Sequence, residues 1–316
     1  MPSMPKPLAK LARRILPPTS GAVRPRLACE ILPEGVVAAR LEQGRAGYVS
    51  AFAPLPPGSL VPDIKAPNLA DRPAVIAALR QALDEVRLRD NRIALVIPDA
   101  AVRVMMLDFD ALPERAAEAL PILRFRLRKL VPFDTDNAAV GFQLLPAGTG
   151  AAGLVRAVVS ASPAEVIAEY ESAVREAGYE PGAVLPSTMA CLAAIAGDEP
   201  ALLINRNANC VTTAIARREE LLLHRTVETT AKDGSPEPNA QRLAREFRQS
   251  VSVAIAYFED TLGTPPRQLF CCGPGGAGEM ASLLENSEIP ARDLEPLSRA
   301  GAPRGIFAGV AGALAS

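Results

Sequence analysis

A chain of 316 residues, 49% hydrophobic and with a formal net charge of -1, has the length for about two packed domains, no bias toward disorder and no basic excess for nucleic acid. Its single histidine excludes a two-histidine metal site built from this chain alone, the lack of a Gly-Lys dipeptide excludes a P-loop, and the lack of Gly-x-Ser-x-Gly excludes a nucleophile elbow. The cysteines at 29, 191, 210, 271 and 272 are odd in number, form no Cys-x-x-Cys pair and have apolar neighbours, so they read as reduced core residues, the vicinal Cys271-Cys272 pair included.

Residues 6–16 place Leu8, Leu11, Ala12, Ile15 and Leu16 on one helical face and Lys10, Arg13 and Arg14 on the other, closed by Pro17-Pro18. Such a basic amphipathic segment suits an anionic membrane surface or a partner, and is equally read as a frayed terminus. No apolar run approaches the roughly 20 residues that a membrane-spanning helix needs, and no secretory leader core follows the basic start.

A meander of strands is expected at 27–31, 36–41 and 48–52, joined by the turns Leu32-Pro33-Glu34-Gly35 and 43–47. A Pro-rich connector, 53–73, leads to an amphipathic helix marked by Val75, Ile76, Leu79, Leu83 and Val86. Strands at 92–97 and 102–109 flank the turn Pro98-Asp99-Ala100.

Residues 113–183 read as an inserted α+β piece. A helix runs to Leu130, with Pro121 in its first turn or at a kink. Strands at 138–145 and 154–161 enclose a Gly/Ala turn at 147–153. A second helix opens on Ser162 as N-cap, Pro163 as first residue and Glu165 closing a capping box, and stops at Gly178; a short strand then ends at Leu185.

A helix from Ser187 to Ala196 precedes a second meander, with strands at 202–205, 210–216 and 220–227; His224 near the end of the last reads as structural or surface. After a polar loop, 229–239, Leu243, Phe247, Val251, Ala254, Ile255, Phe258 and Leu262 keep helical spacing up to Gly263 and Pro265-Pro266. The chain closes on a Gly/Ala-rich helix near 304–315.

The stretch Arg267–Leu284 carries the strongest signal. The apolar run Leu269-Phe270-Cys271-Cys272 enters Gly273-Pro274-Gly275-Gly276-Ala277-Gly278, and a helix pattern follows. Glycines let the backbone approach a ligand, and a helix start offers free N–H groups to an anion. Gly273, Gly275 and Gly278 spell Gly-x-Gly-x-x-Gly, with Asp293 placed where an acid meets a ribose. Three readings fit: a dinucleotide turn, a strand-to-helix turn without a ligand, and the late Gly-Gly turn of a two-lobed nucleotide fold. Fewer than forty residues follow Gly278, whereas a doubly wound sheet begins with this motif.

Two strand meanders, an inserted α+β piece and a late strand–Gly turn–helix form an order that resembles the actin-like (ribonuclease H-like) α/β fold, in which two related lobes face a nucleotide cleft; the insertion is placed as in FtsA. The detail resembles the PilM family of type IV pilus assembly proteins. Arg124-Phe-Arg-Leu-Arg-Lys-Leu-Val-Pro-Phe133 is similar to that family's helix ending in Tyr-Ile-Pro-Phe, Val96-Ile97-Pro98 with residues 102–113 to its strand pair, and Arg242–Phe258 to the helix before its adenosine turn. The resemblance covers about residues 26–314. It implies a terminal segment 1–22, a first lobe 23–112 joined by 184–198 and 303–316, an inserted subdomain 113–183 and a second lobe 199–302.

It also implies a nucleotide site on Glu30, Asn205, Asn207, Gly273, Gly275 and Gly276, and here this chain departs from the family. The family's first phosphate loop, about Asp-Ile-Gly-Ser, is replaced by Glu30-Ile31-Leu32-Pro33; the second, which has Asp and Gly, by Asn205-Arg206-Asn207. A phosphate loop closes backbone N–H groups on the anion, which Leu32 and the N–H-less Pro33 oppose. A neutral amide at 205 is a poor general base. The expectation is a degenerate site that requires no cofactor, binds ATP and Mg²⁺ weakly and hydrolyses negligibly.

The function implied is a non-catalytic cytoplasmic scaffold at the inner face of the inner membrane, in a type IV pilus or related secretion machine. It would dock the N-terminal cytoplasmic tail of a single-pass, PilN-like membrane protein between the first lobe and the inserted subdomain, near Arg124, Arg128, Pro132 and Phe133. Other pilus components would be further partners, residues 6–16 would add peripheral membrane contact, and no nucleic acid is expected. The local alternative is that Phe133 caps the subdomain core and the arginines form a solvated face. The functional alternatives are a weak actin-like ATPase with a working cleft and a dinucleotide-binding oxidoreductase using Gly273–Gly278.

Overall fold

The computed structural model describes residues 25–42, 47–146, 153–195, 197–207, 209–218, 220–229, 239–284, 288–294, 299 and 301–315. The segment 6–16 and most of the turn at 147–153 and the loop at 229–239 lie outside them.

The first lobe is built on strands β1 (Leu27–Leu32), β2 (Gly35–Leu41), β3 (Tyr48–Pro54), β4 (Arg92–Ile97) and β8 (Glu180–Pro186), in the order β3-β2-β1-β4-β8. The meander β1–β2–β3 is antiparallel, and β4 and β8 add in parallel. The second lobe repeats this order: β9 (Ala201–Asn207), β10 (Cys210–Arg217) and β11 (Glu220–Glu228) form the meander, and β12 (Leu269–Cys272) and β13 (Ala291–Asp293) add in parallel, giving β11-β10-β9-β12-β13. The two related lobes expected from the sequence are present.

Both sheets are covered on both faces, which explains their unbroken apolar strands. Along β1, Leu27, Cys29 and Ile31 pack with Val75, Leu79 and Leu83 of helix α1 (Arg72–Glu85), whereas Ala28 and Leu32 pack with Phe307 and Val310 beside and within the terminal helix, Ala308–Ala315. Asp71 caps α1 by accepting from Ala74 N at 3.1 Å. In the second lobe, Leu202 and Ile204 of β9 face Phe247, Val251 and Phe258 of a long helix, Asn239–Leu262.

A third, antiparallel sheet forms the inserted subdomain from β5 (Arg103–Phe109), β6 (Ala138–Leu144) and β7 (Val155–Pro163), in the order β5-β7-β6. Helix α2 (Ala116–Leu127) covers one face: Ala119, Leu123 and Leu127 meet Ala157, Val159 and Ala161 of β7. Sheet membership moves both edges of the inserted piece. β5 belongs to it and does not pair with β4. Helix α3 (Ala164–Glu176) and β8 return to the first lobe, where Val166, Tyr170, Ala173 and Val174 join the core of β1 and α1.

Two local expectations also change, and a third, the place of Pro121, is narrowed. Ser162 does not cap α3; it ends β7 and donates its hydroxyl to Ala101 O at 2.8 Å, leaving Pro163 at the cap position without a side-chain bond. Pro121 lies inside α2, beyond the first turn. The helix after β8, α4, spans Ser187–Leu192 rather than reaching Ala196, which is outside the described residues. Gly178 does end α3, at φ 96°. The remaining helices are α5 (Asn239–Leu262), α6 (Gly276–Leu284) and α7 (Ala308–Ala315). Among the described residues, no helix is long and apolar enough to cross a membrane.

Candidate functional site

The C-terminal ends of the parallel strands β1, β4, β9 and β12 converge between the lobes, the place where α/β sheets offer their ligand sites. Glu30 comes from β1, Asp99 from the single 3-10 turn after β4 (Asp99–Ala101), Asn205 from β9 and Gly273 from the end of β12. α4 and α7 close the space from above. Glu30, Asp99, Ser187, Thr188, Asn205 and Asn207 are all buried.

All of them but Asn207, whose amide atoms have no partner, bond to one another. Ser187 Oγ donates to Glu30 Oε1 at 2.6 Å. Asp99 holds the start of α4, accepting from Thr188 N at 3.0 Å and from the Thr188 hydroxyl. From the second lobe, the Asn205 amide donates to Ser187 Oγ and Thr188 Oγ1, each at 3.0 Å, and lies 3.4 Å from Asp99 Oδ2. The position aligned with the family's second-loop acid is therefore a clamp across the lobes. Gly309 of α7 seats directly on Glu30: a Cβ there would stand 2.1 Å from Glu30 Oε2. Among the described residues, a cavity lined by Glu30, Asn205, Asn207, Gly273 and Gly309 measures ≈ 10 Å³, which is at the lower limit for one water.

Burial dominates the electrostatics of this cluster. Burial pushes the Glu30 carboxyl up to about 8, with Asp99 and Glu34 adding to the rise against the Ser187 hydrogen bond. Burial raises Glu34 as well, while Arg206 lowers it. Pro33 and Glu34 form the two-residue turn between β1 and β2, so the first loop carries an acid and a residue without an N–H. The nearby cation, Arg206, is engaged: it pairs with Glu279 at 2.8 Å and donates to Pro274 O at 3.1 Å.

The glycines of the turn are explained by the chain itself. At Gly273, φ is 101° and a Cβ would lie 1.9 Å from Arg206 O, so this glycine lets the turn press on the second loop. Gly273 N also donates to Gly305 O at 2.9 Å. Gly276, at φ 57°, makes room for Asp293, which accepts from Ala277 N at 2.6 Å and so occupies the start of α6. Gly278 is different, because nothing lies within 4 Å of a Cβ added there.

These contacts correct the dinucleotide reading. Its acid is spent on the helix start, its third glycine meets no packing demand, and its sheet would be parallel throughout. Cys271 and Cys272 point to opposite faces of β12, one into each core layer, and burial holds the Cys271 thiol up near about 12. Both ring nitrogens of His224 are buried without a partner, and burial lowers its pKa.

The residues expected to hold a partner tail lie together on α2 and the turn after it, away from the junction with the first lobe. Phe133 packs on the subdomain core with Leu123 and Leu127. Arg128 pairs with Asp136 at 3.0 Å, Arg124 donates to Ala138 O at 3.4 Å, and Pro132 is exposed. The alternation of β7 separates the two faces: Ala157 and Val159 meet α2, whereas Val158 meets Met189 and Leu192 of α4. On that second face a cavity of ≈ 30 Å³ lies between Val104, Gln143, Val158, Val184, Pro186 and Met189. Gln143 is 7% exposed, and neither its Oε1 nor its Nε2 has a hydrogen-bond partner. The sequence missed Asp99, Ser187, Thr188 and Gln143. The alternation of β6 was the available signal for Gln143, since a polar residue there sits on a face that the fold covers.

Among solved structures, a PilM–PilN type IV pilus biogenesis complex matches over 92% of this chain and 98% of its own, at 19% identity and a TM-score of 0.68. The cytoplasmic domain of EpsL, an inner-membrane component of the Vibrio cholerae type II secretion system, matches over 92% and 94%, at 12% identity and a TM-score of 0.51. The fold is actin-like. No family profile matches the chain, and no curated protein does. In this actin-like frame the bonded cluster occupies the cleft between the lobes, and the Gln143 cavity lies where the inserted subdomain meets the first lobe.

Proposed function

We propose that this chain is a non-catalytic, cytoplasmic scaffold of a type IV pilus or related secretion machine, held at the inner membrane by the cytoplasmic tail of a membrane partner. The observation that carries the reading is the Asn205 clamp. It crosses the cleft with the chain's own hydrogen bonds, and the cavity beside it among the described residues is ≈ 10 Å³, where a nucleotide needs roughly 300 Å³ or more. The likeness to a PilM–PilN complex and to an EpsL cytoplasmic domain supports the choice of machine.

The tail site moves from α2 to the opposite face of the inserted sheet. A cavity of ≈ 30 Å³ takes one small apolar side chain, and the unpaired Gln143 amide offers a donor and an acceptor to a peptide bond. An extended tail is the ligand that supplies both. Calorimetry with a synthetic peptide of the N-terminal cytoplasmic tail of a PilN-like membrane protein from the same organism tests the reading. Saturable binding that Met189→Trp abolishes is expected; no binding, or binding indifferent to Met189→Trp, overturns it.

A second reading, a weak actin-like ATPase, has one observation in its favour: both amide atoms of buried Asn207, at the cleft, lack partners. Titration with Mg-ATP separates the two. Micromolar affinity would favour the ATPase, and an unmeasurable one the scaffold.

A further inference from the structure

The outer face of α2 is left uncovered by the fold. Phe125 is 71% exposed, Leu130 49% and Ile122 39%. Ile122, Phe125 and Arg126 share one helical face, and the turn after the helix, where Leu130 N donates to Leu127 O at 2.8 Å, carries Lys129 and Leu130 onward. From Ile122 to Leu130 there are cations at 124, 126, 128 and 129 and no acid. Arg128 is taken by Asp136 and Arg124 leans on Ala138 O, but Arg126 and Lys129 are exposed and no described acid lies within ion-pair distance of either. The whole chain has a net charge of -1, so this ridge is a local basic feature rather than part of a basic protein.

We propose that this ridge, Ile122, Phe125 and Leu130 set among Arg126 and Lys129, rests on an anionic lipid bilayer. Cations complement the lipid phosphates, their aliphatic stems lie along apolar surface, and an aromatic ring among them suits the headgroup depth. The exposure of Phe125 is that of a side chain standing proud. A ridge of this kind gives a peptide no walls, whereas a bilayer deforms around it. The proposal does not depend on the tail site, which lies on the other face of the same sheet.

The test is co-sedimentation of the full chain with vesicles of phosphatidylcholine and phosphatidylglycerol in equal parts, against vesicles of phosphatidylcholine alone. Wild type is expected to sediment only with the anionic vesicles. Arg126→Glu with Lys129→Glu should lower partition by about tenfold or more, at roughly 1 kcal/mol per cation, and Phe125→Ser several-fold. Thermal melts should be unchanged, because these side chains are exposed. Lys10→Glu with Arg13→Glu and Arg14→Glu, in the full chain, weighs the terminal segment separately. The proposal is overturned if wild type ignores anionic vesicles, if it sediments equally without phosphatidylglycerol, or if only the terminal variant loses partition. It is also overturned if the ridge variants change self-association rather than vesicle binding, which would assign the face to a second copy.

Discussion

Asn205 in β9 and Ser187 in α4 meet across the lobe boundary, amide nitrogen to hydroxyl oxygen, at 3.0 Å. Asn205 belongs to the second lobe, and Ser187, on the helix packed between the lobes, passes the contact on to Glu30 of the first. A hydrogen-bonded chain of this kind, buried throughout, is sensitive to the loss of any member.

Asn205→Asp, which restores the acid that the resembling family has here, should therefore destabilise the chain without creating activity. The new carboxylate loses the donors to Ser187 and Thr188 and faces Asp99. A cost of about 2–4 kcal/mol at pH 8 is expected, and about 1–2 kcal/mol for Asn205→Ala. Urea unfolding measures both, and equal stability of the Asp variant and wild type would contradict the clamp.

Glu30 sets a pH dependence whose sign follows from its raised pKa. The folded state holds the proton up to about 8, while the unfolded chain releases it near the ordinary value of 4.5. Between these values the native state binds more protons, so stability is full below the lower one and falls as pH rises through the upper. His224 works in the other direction: its lowered pKa removes stability as pH falls below 6.5. The Glu30 share is isolated by comparison with Glu30→Gln. The variant should gain on wild type by a few kcal/mol between pH 5 and pH 8, and parallel stability curves for the two would refute the assignment.

The glycines of the turn divide into required and idle ones. Gly273→Ala forces a positive φ on alanine and drives a Cβ into Arg206 O, so a loss of more than about 2 kcal/mol is expected. Gly278→Ala lies in α6 with open space around it and should stabilise by up to ~1 kcal/mol. A dinucleotide turn would show the third glycine to be intolerant. Melting both variants decides between an internal packing role and a ligand role.

The repeated meander was legible because it rests on local patterns: apolar runs punctuated by turns such as Leu32-Pro33-Glu34-Gly35. Pro33 and Asn205 could be singled out for the same reason, since each carries its chemistry in its type: one lacks an N–H and the other is a neutral amide. Sheet membership was not. β4 and β5 are both apolar runs separated by Pro98-Asp99-Ala100, and only long-range pairing sends one to β1 and the other to β7. Ser162 had the sequence of a cap, but a buried carbonyl at Ala101 competed for its hydroxyl and won. The choice between Phe133 and Phe125 was equally closed to sequence. Both flank the same basic stretch, and only the packing shows that Phe133 joins the core while Phe125 is left outside.

Gln143 separates stability from recognition. Its amide is buried, with neither atom bonded, so the fold bears a desolvation cost and receives no hydrogen bond in return. Replacing it with leucine, which has a similar volume, removes that cost. Gln143→Leu should then leave the melting transition unchanged or raise stability by up to ~1 kcal/mol. A tail peptide that uses the amide to hold its backbone would lose a donor and an acceptor at once, and its affinity should fall about tenfold, since hydrogen bonds contribute roughly 0.5–1.5 kcal/mol each. The variant also keeps the cavity walls of Val158, Val184 and Met189, so apolar insertion alone cannot account for a loss. Calorimetric titration of wild type and Gln143→Leu with the same peptide, beside their urea curves, is the measurement. A Gln143→Leu protein that is less stable than wild type would show that the amide serves the fold. One that is as stable and binds as tightly would remove Gln143 from the tail site.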